Sequence, residues 1–214
     1  KGVLAKTPGH EGAAVLLASI YKQQEKADEA IAVLQTAANA NDDSVAIRIN
    51  LLQQYLAQKQ NDKAEQLMLE LVSSKPDVLQ YRVTLASFYA QTSQDDKAEA
   101  VLREAISADP DDAQRYILLV DFFDNKVGKE RAISELQAAI EQKPELTELN
   151  FALAARYLQS EQPDKAEAEY RKLIEQQGIE PAGLRARVAL ASLSMQQDNV
   201  TAAKALLEEV LKEN

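Results

Sequence analysis

Residues 81–110, YRVTLASFYAQTSQDDKAEAVLREAISADP, read as two amphipathic helices joined by a short polar turn. Leu85, Ala86 and Tyr89 share one face of the first helix, and Ala98, Leu102 and Ala105 share one face of the second. Both sets follow the i, i+3, i+4, i+7 spacing of an α-helix, and nothing alternates with the period of two that marks a strand. A step of 34 residues either way from Leu85 meets Leu17, Leu51, Leu119 and Leu153, and a further step of 37 meets Leu190. A constant step predicts a repeat array in which each helix pair buries its apolar face against its neighbours.

Outward from that stretch the same columns recur. Residues 1–10 read as the remnant of a preceding repeat and a linker, because Pro8 shares a column with Pro76, Pro110 and Pro144. The array occupies 11–214, with repeats at about 11–44, 45–78, 79–112, 113–146, 147–180 and 184–214. A column of small residues (Ala30, Ala64, Ala98, Ala132, Ala166, Ala203) lets two helix backbones approach closely. An aromatic column (Tyr21, Tyr55, Tyr89, Phe123, Tyr157) fills the gap to the next pair and fails only at Ser194. The pairs Asp42–Asp43, Asp95–Asp96 and Asp111–Asp112 are expected to cap helix starts, and the prolines to follow helix ends. Gly178-Ile179-Glu180-Pro181-Ala182-Gly183 adds three residues to the step. It predicts Gly178 as a left-handed cap, a changed stacking angle, and either a hinge or a longer loop.

These columns resemble the tetratricopeptide repeat over nearly the whole chain. The family's early Trp column is lost here, holding Ala14, Arg48, Arg82, Tyr116, Asn150 and Arg187. The resemblance implies an all-α, right-handed α-solenoid of tandem helix-turn-helix repeats. It also implies a non-enzymatic scaffold for protein–protein interaction, with the first helix of each pair lining a concave groove.

Composition narrows the partners. Lys and Arg number 24 against 34 Asp and Glu, a net charge of −10, so no basic face is available to neutralise nucleic-acid phosphates or an anionic membrane. No apolar run approaches the roughly 20 residues that cross a bilayer. The absence of cysteine removes disulfides and thiolate metal sites and fits either redox compartment. His10 is the single histidine, so a catalytic triad or His-based metal site has no material, and a solvated linker residue is expected. No Gly-rich phosphate loop or nucleophile elbow occurs. No catalytic residue, metal or cofactor is assigned. Asp121, Asp124 and Glu130 around Phe122 and Phe123 suggest either a cation or peptide spot or simple solvated carboxylates beside a core Phe123.

The resemblance places the candidate groove on the residues two before and two after each Leu column. These are Val15 and Ser19, Ile49 and Gln53, Val83 and Ser87, Ile117 and Asp121, Phe151 and Ala155, and Val188 and Ser192. Leu16, Asn50, Leu56, Leu118 and Leu158 are expected on the same face. The first member of each pair is apolar, which predicts a nearly neutral groove for an amphipathic helix or extended apolar peptide, or else a column that packs first helices together. Repeats that grip acidic chaperone tails use a Lys–Asn–Asn–Lys–Arg clamp. Those places hold Val15, Ser19, Asn50, Gln80 and Thr84, a single match, so that clamp is not expected. Leu207 and Leu211 on the last helix predict end-to-end self-association, the alternative function being a self-assembling array. The Gln- and Ala-rich, cysteine-free composition is similar to bacterial arrays of envelope, secretion or exopolysaccharide-export assemblies, which favours a periplasmic or cell-envelope setting over a cytoplasmic one.

Overall fold

The computed structural model describes residues 2–212, which form thirteen helices and no strand. They are α1 Gly2–Lys6, α2 Glu11–Gln23, α3 Ala27–Ala40, α4 Val45–Ala57, α5 Asn61–Ser74, α6 Leu79–Gln91 and α7 Asp95–Ala108. The rest are α8 Ala113–Lys126, α9 Lys129–Gln142, α10 Thr147–Gln159, α11 Pro163–Gln177, α12 Pro181–Gln196 and α13 Val200–Lys212. The chain divides into two compact units, residues 1–88 and 89–214.

In the first unit α2 packs on α3, α3 on α4 and α4 on α5, and α2 also touches α4. In the second unit the same chain of contacts runs from α7 to α13, with α8 touching α10. Contact between sequence neighbours and next-nearest helices is how a helical-repeat solenoid is built, each pair being too small to bury its own face. The small-residue column makes this packing close. Ala30, Ala64, Ala98, Ala132, Ala166 and Ala203 are all between 0% and 1% exposed. Leu34, Ile47 and Met68 are sealed in the first unit, and Leu119, Leu136, Leu153, Leu173 and Leu190 in the second.

The turn inside each pair has a common hydrogen-bonded form. After α4, Lys59 takes a left-handed φ of 54°, its N–H donates to Leu56 O (3.1 Å), and the Gln60 N–H donates to Tyr55 O (2.9 Å). This is the Schellman closure, in which two otherwise orphaned carbonyls are satisfied. Glu25, Ser93, Glu161 and Asp198 repeat it with φ between 56° and 60°, and the long bond ends on Tyr21, Tyr89, Tyr157 and Ser194. The aromatic column therefore serves twice, its carbonyl terminating the helix while its ring fills the core. The fourth turn departs because Val127 stands in the left-handed column, where a β-branched side chain is disfavoured. Val127 stays right-handed and Gly128 takes φ 129°, a region open to glycine alone.

Capping differs in part from expectation. Asp112 caps α8, its carboxylate accepting from the Gln114 N–H at 2.9 Å. Asp42 and Asp43 do not cap α4; Ser44 does, with Oγ accepting from Ile47 N–H at 3.2 Å. Asp95 and Asp96 lie in the first turn of α7, where they face the positive end of the helix dipole without a cap bond. His10 is a cap: its Nδ1 accepts from Ala13 N–H at 3.3 Å.

The three-residue insertion makes no long loop. Residues 178–180 are the whole connection, one residue shorter than those between α3 and α4 or α9 and α10, and the extra chain is helix, with α12 running 16 residues. Gly178 is not the left-handed cap expected: its φ of 56° comes with ψ −118°, and the chain leaves α11 through a tight turn in which the Glu180 N–H donates to Gln177 O at 2.9 Å. Gly183 lets the start of α12 lie on that turn, since a Cβ there would overlap the Gly178 carbonyl. Gly183→Ala is expected to lower stability by about 1–3 kcal/mol through this overlap. Gly12→Ala on α2, where a Cβ meets nothing nearer than 3.8 Å, is expected to raise it by about 0.5–1 kcal/mol. Urea titrations followed by circular dichroism check both signs. In the same assay Lys59→Gly should be neutral or stabilising by up to about 1 kcal/mol, and Lys59→Val destabilising by about 1 kcal/mol.

Candidate functional site

In the first unit the candidate residues fall on α2 (Val15, Ser19), α4 (Ile49, Asn50, Gln53) and α6 (Val83, Ser87). Val15, Asn50 and Val83 are half-buried, while Ile49, Ser19, Gln53 and Ser87 are exposed. Asn50 is turned back on its own helix, its Nδ2 donating to Ala46 O at 2.9 Å. Ile49 and Gln53 meet in a mainly apolar pocket of about 260 Å³ between α4 and α6, with α5 behind it. Leu52, Leu56, Met68 and Leu71 supply the rest of its apolar wall, and Gln80, Tyr81 and Thr84 form the α6 side. Val83 and Ser87 are not among the lining residues. The register on α6 is set by Gln80 and Thr84, one turn apart, rather than by the column drawn from Leu85. Leu56 is 39% exposed and Ile49 38%, so the pocket opens to solvent through two large apolar side chains.

In the second unit Ile117, Asp121, Phe151 and Ala155 are half-buried and Val188 is exposed. This surface is more charged than the neutral wall expected from the apolar column. Arg156 on α10 reaches back to α8, where its Nη2 donates to Asp121 Oδ1 and its Nε lies 3.2 Å from Asp124 Oδ2. The Nε contact is an ion pair out of line for a hydrogen bond. Burial raises the Asp121 carboxyl above the usual aspartate value, Arg156 opposes that shift, and Asp124 adds to it. Phe151 is covered as well: the Arg185 guanidinium sits 3.9 Å from its ring centroid, and Tyr170 packs at 6.2 Å. The signal for both caps was an arginine on the neighbouring first helix, which columns counted one helix at a time do not reveal.

Of the carboxylates near Phe123, Asp121 and Asp124 are paired with Arg156, and Phe123 itself is core, 3% exposed, with Arg131 over its ring at 4.5 Å. Among the described residues no group of three or more His, Cys, Asp or Glu could hold a metal ion. None of their helices is long and apolar enough to cross a membrane. Leu207 and Leu211 lie on α13, 41% and 74% exposed.

The chain is 15% identical to a tetratricopeptide repeat protein of Parabacteroides merdae, covering 100% of this chain and 84% of that one at a TM-score of 0.48. It is 17% identical to MamA of Desulfovibrio magneticus (77% and 93% covered, TM-score 0.44). It is 22% identical to a thermophilic tetratricopeptide repeat protein of Thermus thermophilus (86% and 99%, TM-score 0.43). No curated protein sequence matches. Family models described as "Tetratricopeptide repeat" match residues 22–82 and 55–120, and a second such model matches 151–214. With more than half of its length matched and its helices paired at the family's step, the chain belongs to the tetratricopeptide repeat family.

Proposed function

We propose that this chain is a non-enzymatic scaffold that holds an apolar side chain of a partner protein in the pocket between α4 and α6. Tetratricopeptide repeats are protein–protein interaction modules, and the pocket is the observation that carries the finer reading. Its open apolar rim, Ile49 and Leu56, costs free energy in water that a partner's anchor would recover. A pocket of about 260 Å³ takes one large apolar side chain or two small ones. Burying each anchor is worth about 1.5–3 kcal/mol. One anchor does not offset the ordering cost of association, so micromolar binding needs two or three more along the same face. Val15 on α2, half-buried, is the candidate seat for one of them. An amphipathic helix fits this demand, with anchors at i, i+3 and i+7 and a polar flank toward Gln53, Gln80 and Thr84. The cysteine-free, Gln- and Ala-rich composition is in keeping with a bacterial envelope, secretion or exopolysaccharide-export assembly as its setting.

A second reading is favoured by α13, whose Leu207 and Leu211 are exposed: self-association of the array through its last helix. The two readings separate experimentally. A photo-crosslinking residue at Gln53 should yield a discrete adduct in extracts, and Ile49→Glu or Leu56→Glu should each reduce it by about tenfold or more with helicity unchanged. Undiminished adduct in both variants removes the pocket as the site. For self-association, sedimentation equilibrium should show a concentration-dependent mass that Leu211→Asp returns to monomer. A strictly monomeric protein at high concentration would exclude it.

A further inference from the structure

The opposite side of α4 carries a different opening. A cleft of about 820 Å³ separates α3 from α5, floored by Leu51, Tyr55 and Arg48 of α4. Its volume falls within the roughly 300–1,000 Å³ of ligand sites. Unlike the pocket beneath Ile49, it is walled by polar side chains: Gln35, Thr36 and Asn39 on α3, and Lys63, Gln66 and Glu70 on α5.

The second unit repeats this gap between second helices, and its α7–α9 copy is closed from within. Two steps of 34 residues on from Gln35 and Leu67 stand Arg103 and Glu135. They join α7 to α9 through two hydrogen bonds, 3.0 and 3.3 Å, and only about 240 Å³ remains open there. Three steps on from Arg48 and Leu67 stand Asn150 and Glu169, and the Asn150 Nδ2 donates to Glu169 Oε2 at 3.1 Å. Both bonds use a glutamate at one column: Glu135 spans its cleft from wall to wall, and Glu169 ties the floor of the α9–α11 gap to one wall. The first unit has Leu67 at that column. In the α11–α13 gap, where Leu206 stands there, Glu209 reaches Arg187 instead at 3.1 Å, but its first-unit counterpart Glu70 accepts from Gln66 at 3.0 Å. The Arg48 side chain is left half-buried in the cleft with no hydrogen bond or ion pair to any described residue. Gln35 instead donates its Nε2 to the Tyr55 hydroxyl at 2.8 Å, and Lys63 rests over the Tyr55 ring at 5.7 Å.

From this we infer that the α3–α5 cleft binds an extended segment of a partner polypeptide that contributes the missing carboxylate to Arg48. The guanidinium offers a planar fork that matches one carboxylate in two hydrogen bonds. Side-chain amides of Gln35, Asn39 and Gln66 each present a donor and an acceptor, the complement of a main-chain peptide group. Asp42 and Glu70 also line the cleft and match Arg48 and Lys63 in number. The cleft therefore selects an isolated Glu or Asp among neutral polar residues and disfavours an acidic run. Recognition here is independent of the apolar pocket on the other side of α4.

The test is an NMR titration of the whole protein to millimolar peptide, using Ser-Gln-Glu-Ser-Gln-Ser and the same hexapeptide with Gln in place of Glu. The Glu peptide should bind saturably, and the Gln peptide about tenfold more weakly. Arg48→Met should weaken the Glu peptide by about tenfold and leave the fold intact, since Arg48 supports no other side chain. The pair Gln35→Arg with Leu67→Glu transplants the closing bridge of the second unit and should abolish binding without lowering the thermal midpoint. Ile49→Glu should leave peptide binding unchanged. No saturable binding, equal affinity for the two peptides, indifference to Arg48→Met, or displacement by equimolar glutarate would each overturn the assignment.

Discussion

The structure depends on how closely two helix backbones approach at one column. Ala30, Ala64, Ala98, Ala132, Ala166 and Ala203 have essentially no exposed surface. A larger side chain at any of them would separate the pair and open the layer behind it. Close approach lets Leu34, Leu136, Leu153 and Leu173 interdigitate at the density of a protein interior, where dispersion contacts accumulate. No single pair encloses a core, so the contact must be repeated along the chain, and the constant step follows from that requirement.

The turn column is the second constraint and is coupled to the first. The residue whose ring fills the gap between pairs also offers the carbonyl that ends its helix, as Tyr55 does for Gln60 N–H and Tyr157 for Gln162 N–H. Side-chain packing and chain reversal are thereby fixed at one position. Where the following residue resists a left-handed conformation, at Val127, the chain moves the positive φ one residue on to Gly128 and keeps the bond to Phe123 O. The insertion at 178–183 is absorbed in a similar way, as added helix rather than slack. Both changes are local because the Ala column on either side holds its spacing.

On this repeated frame the variable positions determine what each surface can do. A glutamate at the column of Leu67 joins neighbouring helices at Glu135 and Glu169 and is missing in the first unit. Arginines close the second unit further, with Arg156 between Asp121 and Asp124 and Arg185 over Phe151. The first unit keeps an apolar opening beside Ile49 and a polar one beside Arg48.

Much of this was legible in the order of residues. The helix pairs, the Ala and aromatic columns and the prolines after helix ends are local or strictly periodic, so spacing alone determines them. The family resemblance, counted from the Leu column, pointed to Ile49 and Gln53, and both line the pocket beside α6. Other features depended on the tertiary structure. Ser44 rather than Asp43 caps α4 because the turn geometry selects which oxygen reaches the Ile47 N–H. Gln80 and Thr84 rather than Val83 complete the pocket because the rotation of α6 is set by what it packs on. Arg185 covers Phe151, and Arg156 neutralises Asp121, through contacts between residues 34 and 35 positions apart. Periodicity assigns a face to each helix; which side chains of two neighbouring helices meet depends on their rotation and spacing, and those are settled only when the whole layer packs.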